Sequence, residues 1–575
     1  MANNWSSRSR AVRGLSVAGI ICLLSACGRD GPTEAGPLAH PAAPSLLVNP
    51  LCSTYNTLHQ SDTITTPVTW TLSGSPHRVT GTVTIEPAGR LTIEEGAIVC
   101  FLPGAGLHST GGRLVSRGLA TAPVVLTAYD PAQGWNGVNL EGSPSVTSYI
   151  THSRVEYVAL NYTAIASDDH RLQIDSTVVR QSGAGVRLDR GPSRFTWSRV
   201  DTTTNRFAAA LTLGDSSRAE HLTITGAAGV GLLIEGSARI NVLGGRIEGS
   251  GGTGIVAPHE TGIVFANPVR VVGGLSYPIE TTPALLQRLY SSVAATQDSL
   301  KGNARDTVIM LGGTLEAPLY VRAGLPWHVK AQLVVGDGGV LHGEPGSRLV
   351  MDEDVDILAV ADGRLRLRGS QTDPVVLTAD DPARGWGGID LFSVPAQRSY
   401  ITNARVEHVE FGQVAVDDGG SHPVRIDSVV LRQTGAAVRL WSAGSRLTFS
   451  RVDTTLTSYL PAVELAADAV LESTLIRASS NAGVAIHSDT VQVESCEVRG
   501  SVLYGIVLYA TAPVHNCNLV DNGTGLYKTG IDTADATGNW WGDAGGPTAP
   551  GANGVTGPVT YTPWRTTPYV LPYVP

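Results

Sequence analysis

Paired acids stand at two points of this chain where carboxylate chemistry could be done. Asp168-Asp169, followed by His170, is one, and Asp417-Asp418 is the other. Two carboxyls flanking a glycosidic bond can serve as acid and base, or as acid and nucleophile, so these four residues are the candidates for sugar cleavage. The competing role is a turn between strands, where aspartate accepts backbone hydrogen bonds. Neighbours on a strand point to opposite faces, so adjacent acids need not share a site. Met351-Asp352-Glu353-Asp354-Val355-Asp356 is the densest acidic run. As a strand it would put Asp352, Asp354 and Asp356 on one face, a candidate Ca²⁺ site. As a turn it would be a solvated loop, and no glycine-bounded calcium loop accompanies it. Arg180-Gln181, Arg432-Gln433, Arg187 and Arg439 could meet carboxylated sugars or pair with nearby acids. No Gly-Xaa-Ser-Xaa-Gly elbow, zinc-ligand spacing or phosphate loop fits its required context, and no cofactor is expected.

These residues belong to a tandem duplication. Pro123-Val124-Val125-Leu126-Thr127-Ala128 returns as Pro374-Val375-Val376-Leu377-Thr378-Ala379. Ser148-Tyr149-Ile150-Thr151 returns as Ser399-Tyr400-Ile401-Thr402, and Ile174-Asp175-Ser176 as Ile426-Asp427-Ser428, the offset drifting from 251 to 252. The two acidic pairs are expected at repeat-equivalent places. Trp135 and Trp386 also correspond, each after a glycine at a bend, and each is either a buried wedge or a sugar-stacking platform.

A finer period lies inside each half. Asn481-Ala482-Gly483-Val484-Ala485-Ile486 is followed one unit later by Leu503-Tyr504-Gly505-Ile506-Val507-Leu508. Val230-Gly231-Leu232-Leu233-Ile234 and Thr253-Gly254-Ile255-Val256 stand in the same relation. A unit of roughly 20–23 residues, holding two or three short strands, cannot bury its own apolar face; stacked as parallel coils, such units bury one continuous core. The pattern predicts an all-β fold, a right-handed parallel β-helix of about 20 coils on the order of 100 Å long. Thr282-Pro283-Ala284-Leu285-Leu286-Gln287-Arg288-Leu289 breaks it with a capping threonine, a proline at the first helical position and leucines at i and i+4. A short helical excursion is expected near 283–300.

The first residues carry an address. Arg8, Arg10 and Arg13 precede the apolar run from Leu15 to Leu24, and Leu24-Ser25-Ala26-Cys27 resembles the lipobox of bacterial lipoproteins. That resemblance implies lipidation at Cys27 and a membrane anchor. With Gly28 rather than aspartate next, it favours the outer membrane. The domain reading is therefore a signal at 1–26, a lipidated tether at 27–50, a first β-helix half at 51–280, a junction at 281–305, and a second half with a C-terminal cap at 306–575. Loss of three arginines with the signal takes the net charge from −9 to −12. Only Lys301, Lys330 and Lys528 are lysines, so no basic stripe for nucleic acid exists.

Beyond the signal and Cys27, four cysteines remain: Cys52, Cys100, Cys496 and Cys517. All four are disulfide candidates in an exported chain. Cys52 and Cys100 would clip the first turns. Cys496 and Cys517, at matching places in successive units, are stacked neighbours that either pair or simply fill a ladder.

The coil pattern resembles the right-handed β-helix proteins of the pectin-lyase-like superfamily, in particular exported bacterial β-helix lipoproteins. Gly112-Arg113-Leu114 through Val124-Val125-Leu126-Thr127 and Gly134-Trp135-Asn136-Gly137-Val138 carry the resemblance once. Gly363-Arg364-Leu365 through Val375-Val376-Leu377-Thr378 and Gly385-Trp386-Gly387-Gly388-Ile389 carry it again. Gly538-Asn539-Trp540-Trp541-Gly542-Asp543 resembles the closing motif of such domains, and Trp540-Trp541 is expected to cap the last coil. The resemblance implies fold more than activity, because the superfamily holds lyases, hydrolases, esterases and adhesins. The hydrolases' Asn-Thr-Asp, Gly-His-Gly and Arg-Ile-Lys signatures are missing. The leading expectation is a non-catalytic rod binding a polysaccharide or an envelope protein. The alternatives are a polysaccharide lyase or glycoside hydrolase, and a structural spacer or adhesin.

Overall fold

The computed structural model describes residues 48–572 except 143–145, 260–261, 292–296, 393 and 395–396. The signal, Cys27 and nearly all of the tether lie outside the described residues. From residue 48 onward the chain is an all-β parallel β-solenoid of about 20 turns.

The core follows from one repeated alternation. Short strands put every second side chain inward, and each inward residue sits on its counterpart one coil away. One such ladder runs through the molecule from Val83 by way of Leu107, Val138, Ile165 and Leu232 to Val308, Trp327, Leu377, Val452 and Leu519. These residues are all buried. Coil length is free to vary because only the strands must register: the coil from Leu107 to Val138 is long and the one from Val308 to Trp327 is short, yet both pairs sit in register. The surplus is looped out at the corners.

Corners turn on single residues held in the left-handed region. Ser176, Trp197 and His221 mark one such row in the first copy, and Ser428, Phe449 and Ser473 mark it in the second. The sharp bend takes the next backbone N–H off the strand ladder, and a buried polar side chain one coil on accepts it. Thr177 N–H donates to Ser198 Oγ at 3.0 Å, and Val429 N–H to Ser450 Oγ at 3.1 Å. Cys496 and Cys517 occupy this column. Cys496 N–H donates to Cys517 Sγ at 3.4 Å, and Cys517 N–H to Asn539 Oδ1 at 2.8 Å. Both cysteines are free, buried thiols, so the second candidate disulfide is not made and the ladder role accounts for them. Cys52 and Cys100 are bonded, with Cα atoms 5.8 Å apart, tying the turn Pro50–Cys52 to the strand Ile98–Phe101.

The halves are not stacked in phase. Val124–Ala128 and Val375–Ala379 are repeat-equivalent strands, yet the first belongs to a 16-stranded first-half sheet and the second to the ladder just traced. The change occurs at the junction. Ile279–Thr281 pairs directly with Val308–Met310, and the turn of chain between them is spent on the helix Pro283–Ser291 and the 3-10 turn Gln297–Leu300. The helix buries Leu285, Leu286 and Leu289 and packs against the strands Ile263–Val272, Gly313–Leu315 and Pro318–Val321. It therefore stands where the other two sheets are interrupted, and among the described residues only the traced ladder passes through. The second copy is turned by one face relative to the first. The helix matches expectation; its expected side-chain cap does not, since Thr282 Oγ1 is buried without a hydrogen-bond partner, while the Thr282 carbonyl accepts from Leu286 N–H at 3.1 Å.

Trp135 and Trp386 are fully buried wedges. Each indole N–H donates to a backbone carbonyl, of Glu156 and Glu407 respectively, at 2.9 Å. Trp541 is buried against the final coil.

Opening the Cys52–Cys100 bond by Cys52→Ser and Cys100→Ser should remove about 2–4 kcal/mol of loop-closure stabilisation from the first coils alone. Hydrogen exchange should then quicken over residues 57–101 and stay unchanged past residue 124. Burial holds His59, His77, His170, His342 and His422 below the ordinary histidine value of 6.5, the last two down to about 4. The unfolded chain takes up these protons first, so their contribution is complete above pH 6.5 and is lost as pH falls toward 4. Thermal melts at pH 7.5, 5.5 and 4.5 should fall in that order, and His422→Gln should flatten the slope.

Candidate functional site

The sheet that begins at Gly313–Leu315 and ends at Val555–Thr556 carries a charged row on its outer side. Leu358, Asp390, Asp417, Arg439, Glu464 and Ala485 succeed one another in register, one per coil. Parallel neighbours are about 4.8 Å apart, so the Asp390 and Asp417 side chains leave the sheet side by side. Arg439 donates to Asp417 Oδ2 at 2.9 Å and to Glu464 Oε2 at 3.0 Å. Glu464 also meets His487 at 3.0 Å. Asp356 lies beside the start of this row and accepts from Gln332 at 2.9 Å.

The row has two kinds of carboxyl. Burial, then the charges of Asp417 and Asp356, push Asp390 up to about 7. Burial also works to raise Glu464, but His487 and Arg439 outweigh it and hold that group below its ordinary value. The raised carboxyl of Asp390 thus stands in register beside Asp417, which Arg439 holds in an ion pair.

Aromatic side chains border both ends of these strands. Phe411 and Tyr459, 57% and 60% exposed, meet edge to face with ring centroids 5.9 Å apart just before their strands. On the other border Trp441, His487 and Tyr509 follow their strands. His487 stacks on Tyr509 at 4.7 Å, and the Arg439 guanidinium lies 5.3 Å from the Trp441 ring centre. Rings flanking a polar, carboxylate-bearing floor form a surface suited to a sugar chain, whose apolar ring faces stack while its hydroxyls hydrogen-bond.

Of the two roles weighed for the acidic pairs, the turn role accounts for Asp169 and Asp418. Asp168 is half-buried and bound bidentately by Arg190 at 2.9 and 3.0 Å; that hydrogen bond keeps it below its ordinary value. Asp169 has a left-handed backbone, and His170 is buried, its Nε2 2.8 Å from Ser148 Oγ. Asp418 is fully buried and accepts from the backbone of Gly420, Trp441 and Ser442 and from Ser445 Oγ, a turn-building role. Of the four, only Asp417 joins the row. Nor are the two pairs equivalent: register puts Asn139 beside Ala166 where the second copy has Asp390 beside Asp417. The one-residue drift of the offset falls in the turn between Ser167 and His170, which in the second copy runs from Asp418 to His422. In the first copy the same surface is a neutral hollow of about 380 Å³ lined by His108, Asn136, Asn139, Asn161 and Tyr162.

The acidic run is not a strand. Arg348–Met351 ends before Asp352 and the next strand is Asp356–Ala359, with Asp354 left-handed in the turn between. Asp352 turns to His328 and Lys330, Asp356 to Gln332, and Asp354 to Glu410, so the three do not converge on one ion. The arginines are held in place by acids: Arg180 by Glu156, Arg432 by Glu407, Arg187 by Asp189 and Arg439 by Asp417 and Glu464. Asp390 was missed because a lone aspartate in Gly387-Gly388-Ile389-Asp390-Leu391 has no motif. Comparing the copies would have found it, since Asp390 replaces Asn139 and Asp417 replaces Ala166.

Compared with protein-family models and with curated proteins, the chain matches none of them. Among the described residues no helix is long and apolar enough to cross a membrane.

Raising a carboxyl pKa makes its ionisation costly to the fold: the penalty is absent below pH 4, grows through pH 7 and is complete above it. Asp390→Asn should therefore raise the melting temperature at pH 8 and leave it unchanged at pH 4. An equal shift at both pH values would contradict the assignment of Asp390.

Proposed function

We propose that this chain is a glycan-binding β-solenoid of the bacterial envelope, anchored through a lipid at Cys27, with the second-copy acidic face as its binding surface. The observation that carries the reading is the combination on one face of Asp390, Asp417, Arg439 and Glu464 with exposed rings along both borders. The lipobox-like Leu24-Ser25-Ala26-Cys27 and the coil motifs that resemble exported β-helix lipoproteins of the pectin-lyase-like superfamily support the address, with the outer membrane favoured. An envelope protein and a plain spacer or adhesin role stand as outcomes of the test.

A second reading, glycoside hydrolysis, is favoured by one arrangement: Asp390, which burial pushes up to about 7, stands in register beside Asp417. Asp390 would be the acid and Asp417 the nucleophile, on strands whose separation of about 4.8 Å is near the spacing of a retaining pair. A lyase has less support, since the nearby cation Arg439 is bound on both sides by acids.

Purified mature protein incubated with a panel of polysaccharides, followed by size-exclusion chromatography, separates these readings. Co-elution with intact chains is expected. Trp441→Ala or a Phe411→Ala/Tyr459→Ala pair should each weaken binding about tenfold, the loss of one good ring contact. Trp197→Ala, in the first copy, should not. Shortened chains that persist with wild type and vanish with Asp390→Asn would make the protein a hydrolase. Chains that elute apart from the protein would refute glycan binding.

A further inference from the structure

Three consecutive turns of the continuous ladder bring a histidine and two aspartates to one point on its outer side. His328 lies between the inward Trp327 and Val329, over Val350 and Thr378 of the next two coils. Asp352 and Asp380 each follow the strands of those coils. His328 Nε2 is 2.5 Å from Asp352 Oδ1 and 4.0 Å from Asp380 Oδ1, and the three donor atoms all lie within 4.8 Å of one another. The imidazole is 9% exposed, so it is held rigidly, while the carboxylates reach solvent.

Lys330 completes the group and exposes a conflict in it. Its Nζ is 3.2 Å from both His328 Nε2 and Asp352 Oδ1. A neutral imidazole has at Nε2 either a proton or a lone pair. With the proton it donates to Asp352 and cannot accept from Lys330. With the lone pair it accepts from Lys330 and faces the Asp352 oxygen without a hydrogen between them. Fully protonated, it places a second cation 3.2 Å from the ammonium, with Asp352 and Asp380 as the counter-charges. A divalent ion in the place of the ammonium removes the conflict, because the lone pair and the carboxylates then all point at positive charge.

We propose that His328, Asp352 and Asp380 form a site for a first-row divalent metal ion of the zinc class, with the Lys330 ammonium as a built-in competitor. Imidazole with two carboxylates is a donor set for Zn²⁺ and its neighbours; Ca²⁺ prefers oxygen alone. Ligands about 2.0–2.2 Å from a shared ion stand roughly 3–4 Å apart, so a small opening of the His328–Asp352 contact suffices. The lysine stem is flexible and a third exposed, so its head can leave. Three protein ligands leave coordination positions open to solvent. This site shares only Asp352 with the sequence-derived calcium candidates and lies on a different sheet from the charged row.

Titration of the purified mature protein with Zn²⁺ by calorimetry at pH 7.5, and with Co²⁺ by visible absorption, tests this. One ion per chain is expected. His328→Ala and Asp380→Asn should each weaken binding at least about tenfold, as loss of a ligand does. Lys330→Met should tighten it, because the competing ammonium is gone while the ligands stay. Circular dichroism and melting curves of each variant report whether the coil is intact. Wild-type protein that binds no Zn²⁺ or Co²⁺ at millimolar ion, binding unchanged in a folded His328→Ala variant, or weaker binding in Lys330→Met would each overturn the proposal.

Discussion

Everything in this molecule depends on one constraint: a single short coil has no interior of its own. Its inward Val, Ile and Leu side chains are covered only by the coils above and below. The strands must therefore stay parallel, in register and about 4.8 Å apart, whatever the connecting chain does. The ladder from Val83 to Leu519 is the physical form of that constraint. It keeps most inward strand positions apolar and leaves the outward positions, and the length of the corner loops, free to vary. Function can be written on the outer side because nothing on it is needed to close the core.

The same constraint explains how one acidic face arises from two similar halves. The helix Pro283–Ser291 takes the place of two strands in one turn, and the second copy resumes on the neighbouring face. Repeat-equivalent surfaces consequently look out in different directions and do not line up as one long binding strip. Duplication here supplies two differently decorated surfaces: a neutral hollow around Asn139, and a row of charges around Asp390 bordered by rings. Avidity through two matched sites, the expectation a tandem repeat raises, is not what this geometry offers.

Much of the architecture was legible because it is written locally. Alternation in Val83-Thr84-Ile85, the glycine-spaced coils and the Thr282-Pro283 break each report the structure at their own position. Trp135 and Trp386, buried in the same way in both copies, show how well a repeated residue reports a packing role. The site was less legible because it is assembled across coils. Asp356, Asp390 and Asp417 stand on three successive coils, far apart in the chain, and meet only through strand register. His328, Asp352 and Asp380 are separated in the same manner. Adjacent acids drew attention instead, and adjacency on a strand or turn is the arrangement least able to make them converge: Asp418 became a buried turn acceptor and Asp168 a surface ion pair. The rotation between halves left no local trace, since it depends on which strand the junction lets Val308–Met310 pair with.

That pairing is the most exposed point of the structure. Glu280 and Ile309 are in-register neighbours on the outer side of Ile279–Thr281 and Val308–Met310. Their Cα spacing of about 4.8 Å is within disulfide range. Oxidation of a Glu280→Cys/Ile309→Cys variant, followed by peptide mass spectrometry, measures it directly. An intramolecular 280–309 cross-link is the predicted result. Failure of the two cysteines to link in the folded protein would mean that the ladder does not pass through the junction and that the halves do not face different ways.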